Sequence, residues 1–168
     1  MGRYRVFVLF IALALFAACA RSAKENHNAA ATNSSPSSAN SNTAQADNRL
    51  LQEIQTGTVD SVRQLLDSGV NVNGATESGV TPLMNASGMG NKEVVQLLIA
   101  RGANVNARTP GNFTALMQAA LVGQTEVVKI LLDAGADPNV KDTSGKTAQT
   151  YAEERGNKEI VALLKAKK

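Results

Sequence analysis

Most of the 168-residue chain reads as an all-α solenoid of about four helix–turn–helix units joined by short hairpin loops. The segment Thr81-Pro82-Leu83-Met84-Asn85-Ala86 returns 33 residues later as Thr114-Ala115-Leu116-Met117-Gln118-Ala119, and again as Thr147-Ala148-Gln149-Thr150-Tyr151-Ala152. Glycines keep the same period, with Gly57, Gly90, Gly123 and Gly156 in one register and Gly69, Gly102 and Gly135 in another. Apolar stretches repeat with them at Val62–Leu66, Val95–Leu98, Val128–Leu131 and Val161–Leu164. A period of this length marks an array of units, each too small to bury its apolar face except against its neighbours.

Residues 1–18 are expected to be an export signal rather than part of the fold. Arg3 and Arg5 supply the positive start, and Val6 to Phe16 is an unbroken apolar run, too short for the roughly 20 residues that span a bilayer. The following Phe16-Ala17-Ala18-Cys19 resembles the lipobox of bacterial lipoproteins, with Phe16 where such families usually carry Leu. That resemblance implies lipidation of Cys19, firm anchoring by several acyl chains, and sorting to the outer membrane because Ala20 is not Asp. The alternative is ordinary cleavage at Ala18-Cys19-Ala20, releasing a soluble periplasmic or secreted protein.

Residues 19–47 are expected to be the lipidated N-terminus and a disordered Ser/Asn/Ala tether. From Arg21 to Asp47 there is no Val, Ile, Leu, Met or aromatic residue, so no burial offsets the entropy of ordering. His27 lies here without Cys or carboxylate clusters around it and is expected to be solvated.

The repeats fill residues 48–168, at about 48–79, 80–112, 113–145 and 146–168. Thr81-Pro82 is a helix N-cap followed by Pro in the first turn, where its missing N–H costs nothing. Gly90, Gly123 and Gly156 suit the left-handed end of the first helix of each unit. Glu93, Glu126 and Glu159 favour the positive start of the second helix, whose buried stripe in one unit is Val94, Val95, Leu97, Leu98 and Ile99. Gly102 stops that helix ahead of a polar turn.

Together these residues resemble the ankyrin-repeat family, whose unit runs TPLHxAAxxGxxEVVxLLLxxGADVN. Met84, Met117 and Thr150 replace its His, so Met fills space where the family has hydrogen bonds. The first unit lacks the Thr-Pro start and the last has Gln149 in place of a core Leu, as expected of capping repeats. Asn112 stands where the other hairpins have Gly79 and Gly145, and is expected to adopt their left-handed conformation.

The inventory excludes much chemistry. The repeat region has no His and no Cys, so nucleophile–His pairs and the usual zinc and haem sites are absent, and no metal or cofactor is expected. Asp137–Asp142 lacks the mid-loop Gly and closing Glu of a calcium loop and reads as a polar inter-repeat turn. Glu153 and Glu154 are adjacent and do not face one another on a helix. Residues 48–168 hold 13 Lys+Arg against 12 Asp+Glu, so the net charge of +3 is no basic face for nucleic acid.

Resemblance to the family implies contacts through the hairpin tips and the first helix of each unit. The residues singled out for a protein partner are Val80, Met89, Phe113, Gln118, Leu121, Val122, Lys146 and Tyr151. Phe113 and Tyr151 are the aromatics left once the signal's four are set aside, and Met and aromatics favour interfaces. Packing within the stack is the competing account of Leu121, Val122 and Tyr151. The expected function is a non-enzymatic, monomeric protein-interaction module tethered to the bacterial envelope, touching membrane only through its lipid. An inhibitor of a toxic effector, a helper of a periplasmic stress enzyme and a passive envelope spacer are the alternatives. A carboxylate-only hydrolase would need converging Asp/Glu pairs, which the repeat pattern does not predict.

Overall fold

The computed structural model describes residues 39–167, with side chains from residue 48. The predicted signal, Cys19 and His27 lie outside the described residues. Eight helices and no strand are present among those described: α1 (Ala39–Thr56), α2 (Val59–Asp67), α3 (Pro82–Met89), α4 (Lys92–Ala100), α5 (Ala115–Val122), α6 (Thr125–Asp133), α7 (Ala148–Glu154) and α8 (Lys158–Ala166). The first helices pack in a row, α1 on α3 on α5 on α7, and the second helices in another, α2 on α4 on α6 on α8.

Each start obeys the same local chemistry. The Thr81, Thr114 and Thr147 hydroxyls accept the backbone N–H of Met84, Met117 and Thr150 at 3.3, 3.2 and 3.3 Å. Thr58 does this for α2, where Thr58 and Ser61 form a capping box. Helices α3 and α5 end on Gly90 (φ 75°) and Gly123 (φ 90°). Gly57 keeps their register but has no positive φ; a Cβ there would lie 2.7 Å from the Glu53 carbonyl oxygen, so close approach is what excludes a side chain. The hairpins close with Thr76, Thr109 and Asp142 N–H donating to the carbonyls of Val80, Phe113 and Lys146 at 3.0, 3.1 and 2.9 Å. Asn112 has φ 61° and occupies the turn position held elsewhere by Gly79 and Gly145.

The core runs along the seam between the two rows. Leu50, Val62, Leu83, Leu98, Leu116, Met117, Leu131, Ile160 and Leu164 are all buried. Met84 and Met117 are buried where the family's His would stand, filling volume. Gln149, in the register of Leu83 and Leu116, is half-buried: its Nε2 donates to Glu153 Oε1 at 2.7 Å and its Oε1 has no partner.

Two features lie beyond the expected units. Helix α1 begins at Ala39, inside the stretch expected as tether, so the tether boundary at residue 47 does not coincide with the start of structure. Leu50, Leu51 and Ile54 anchor this helix in the core. Side-chain amides also tie successive units. Asn73 donates to the Gly102 carbonyl at 3.2 Å and accepts from Asn104 N–H at 2.8 Å. Asn106 repeats this on Gly135 and Asp137 at 3.0 and 2.9 Å. The Asp137–Asp142 segment is thus the inter-repeat turn that the sequence suggests.

Candidate functional site

Two families of positions build the site: the hairpins before the first helices, and the solvent side of those helices. On the hairpins, Val80, Phe113 and Lys146 share a register, and Thr76, Thr109 and Asp142 brace them. The Thr76 and Thr109 hydroxyls each accept the N–H of Val80 and Phe113 at 3.1 Å, and Asp142 Oδ1 accepts that of Lys146 at 2.9 Å. Adjacent hairpins touch: Thr143 N–H donates to the Gly111 carbonyl at 3.1 Å, and a Cβ on Gly79 would lie 2.7 Å from Pro110 Cδ.

Phe113, Lys146 and Tyr151 come together in one cluster. The Phe113 and Tyr151 rings meet edge to face, centroids 5.5 Å apart at 78°, in the geometry that aromatic quadrupoles favour. Lys146 Nζ lies 5.4 Å from the Tyr151 ring centroid and 2.6 Å from Glu154 Oε1. The Tyr151 hydroxyl donates to Asp142 Oδ2. That bond to a carboxylate, aided by desolvation, pushes the phenol up to about 12. The same bond, with the N–H groups of Lys146 and Ser144, holds the Asp142 carboxyl below its usual range against the opposing effect of burial. All three clustered residues are half-buried, and Phe113 and Tyr151 pack partly on the core, so the stack claims a share of both rings.

Met89 and Val122 present a different arrangement. They lie 33 residues apart in one register at the ends of α3 and α5, 53% and 42% exposed, the two large apolar side chains most open to solvent among those described. Leu121 beside them is half-buried. Gln118 lies over Gly88, where a Cβ would come within 2.8 Å of its Nε2. Val80 is half-buried against the core on the preceding hairpin. The predicted residues thus fall into the aromatic cluster of Phe113, Lys146 and Tyr151, the exposed pair Met89 and Val122, and the more deeply seated Leu121, Gln118 and Val80.

Sequence reasoning missed Asp142 as the residue that fixes Tyr151. Its signal was the register it shares with Thr76 and Thr109: where a Thr hydroxyl braces the hairpin, a carboxylate braces it and has a second oxygen to spare. Glu153 and Glu154 do not converge, since one accepts from Gln149 and the other from Lys146.

The family model described as ankyrin repeats (3 copies) matches residues 15–109, 50–142 and 116–168. No curated protein matches the chain. With the 33-residue period, the Thr-capped helix pairs and these matches across most of its length, the chain belongs to the ankyrin-repeat family, whose repeats are generally protein–protein interaction modules.

Proposed function

We propose that this chain is a non-enzymatic protein-binding module tethered to the bacterial envelope, gripping a partner protein with its hairpins and first helices. The observation that carries the reading is the register pair Met89 and Val122, open to solvent next to half-buried Leu121. Neighbouring exposed apolar side chains are a poor fit to water and a good one to a protein surface. The Phe113–Tyr151 pair, pinned by Asp142, adds aromatic area whose side-chain freedom is already spent, so less entropy is lost on contact. Support for tethering comes from the sequence: Arg3, Arg5, the apolar run and the lipobox-like residues ending at Cys19 favour a lipid anchor in the outer membrane with the repeats on its periplasmic side.

Cross-linked capture from envelopes tests the binding. A partner retained by the wild-type chain is expected to be lost from a Phe113→Ala, Met89→Ala double variant that remains folded; equal retention sinks the assignment of the surface. Lipid labelling is expected to disappear in Cys19→Ser, and its persistence refutes the anchor.

A further inference from the structure

Asn73 is followed by Gly74, the one Asn-Gly pair in the chain. The backbone does not require glycine there, since Gly74 has no positive φ and the same register holds Ala107 and Val140 in the next two units. Asn73 itself ties the first repeat to the second, its Nδ2 donating to the Gly102 carbonyl at 3.2 Å and its Oδ1 accepting from Asn104 N–H at 2.8 Å. The Gly74 N–H donates to the Asn71 carbonyl at 3.0 Å. Asn106 makes the same pair of bonds at the next junction, and Ala107 N–H donates to the Asn104 carbonyl at 3.2 Å in the same kind of turn. The two junctions share their bonds and differ in the residue after the amide, which has no side chain in the first and a methyl group in the second.

That difference bears on reactivity, because a backbone nitrogen unshielded by a β-carbon attacks the carbonyl carbon of a preceding asparagine side chain far more readily than a shielded one. We propose that Asn73 is a deamidation site gated by the junction between the first and second repeats. When the junction opens, a bond forms from Gly74 N to Asn73 Cγ, the Cγ–Nδ2 bond breaks, and ammonia leaves with the proton given up by the Gly74 nitrogen. Water then opens the cyclic imide at either carbonyl, giving aspartate or isoaspartate. No electrons are transferred, and water is the sole co-reactant. In the closed junction Nδ2, Oδ1 and the Gly74 N–H are all engaged, so the rate follows the population of the open form. The reaction is one-way for the tie. A carboxylate oxygen in place of Nδ2 sets an acceptor against the Gly102 carbonyl, and only the bond from Asn104 N–H can be made again. Isoaspartate also adds a methylene to the main chain three residues before Thr76, whose N–H closes the first hairpin on the Val80 carbonyl at 3.0 Å.

Peptide mapping of the full chain by mass spectrometry, after incubation at neutral pH with and without unfolding urea, tests this. Asn73 is expected to deamidate while Asn106 in the same sample stays intact, and to do so about tenfold more slowly in the folded chain than in the unfolded one. Gly74→Ala is expected to suppress the reaction in both states and to keep the fold, as Ala107 does in the same register. Asn73→Asp, which carries one hydrolysis product, is expected to speed amide hydrogen exchange in α1 and α2 by about tenfold and to leave α5 to α8 unchanged. Equal rates at Asn73 and Asn106 would overturn the site. Equal rates in the folded and unfolded chain, or no product from the folded chain within about fifty half-lives of the unfolded reaction, would overturn the gating. Unchanged exchange in α1 and α2 would overturn the effect on the junction.

Discussion

The third repeat and the fourth solve the same packing problem with different side chains. In α5, flanked by repeats on both sides, Ala115, Leu116, Met117, Ala119 and Ala120 are all buried. In α7, which has a first helix on one side among the described residues, only Ala148 and Ala152 are. The fourth repeat holds itself with polar bonds instead: the Thr147–Thr150 capping box, Tyr151 on Asp142, Lys146 on Glu154 and Gln149 on Glu153. A unit with neighbours on both sides gains from every apolar atom it adds, whereas one with a neighbour on one side gains from polar atoms that satisfy one another and still face water.

The largest expected contrast is a truncation in the interior. Leu116→Ala should cost about 2–5 kcal/mol by chemical denaturation, because the site is closed on all sides and collapses poorly. A loss no larger than about 0.5 kcal/mol, the range of surface substitutions, would erase the distinction between the repeats. Gln149→Leu runs the other way. It removes the unpartnered Oε1 and restores an apolar side chain in the register of Leu83 and Leu116, and should stabilise by about 1 kcal/mol.

A smaller effect is expected from pH. Tyr151 is raised above its ordinary value near 10 to about 12, so its contribution to stability is present below pH 10 and is lost as pH rises toward 12. Asp142 is lowered, so its contribution is present above its ordinary value and is lost as acid titrates it in the fold. Tyr151→Phe should flatten both limbs in thermal melts across pH and remove the late tyrosinate step from an absorbance titration. An unchanged alkaline limb would show that the polar network contributes nothing to the fourth repeat. The smallest effect is assigned to Asp133→Ala, which breaks an exposed pair with Lys167 at 3.2 Å and should cost no more than about 0.5 kcal/mol.

Most of the backbone was legible in the sequence because the period carries it. First helices begin at Pro82, Ala115 and Ala148, each directly after its capping Thr, and Asn112 takes the left-handed turn position expected of it. What the period does not carry is the reach of a side chain at a shared register. Asn91 caps its own helix through Val94 N–H at 3.1 Å, but Gln124 stretches back to the Gly88 carbonyl at 3.5 Å and Asn157 to that of Ala120 at 3.4 Å. The start of α1 at Ala39 was illegible because the residues before Leu50 carry no apolar stripe to read. Among the site residues, Phe113 and Tyr151 were legible as rare aromatics, while their division between core and surface depends on Asp142, whose register was read only as a turn.

The amide ties between repeats also set how the chain finds its fold. The ties made by Asn73, Asn106, Gln124 and Asn157 join residues 29 to 37 positions apart. Loop closure is therefore met in equal instalments, one repeat at a time, and the entropy of each step does not grow with the length of the array. Each of the two central repeats has a neighbour on both sides, so order started in either can spread in both directions, toward α1 and toward α8. Opening of α7 and α8, with the Lys146–Tyr151 half of the aromatic cluster, is expected to precede opening of α3 to α6, and amide hydrogen exchange checks it.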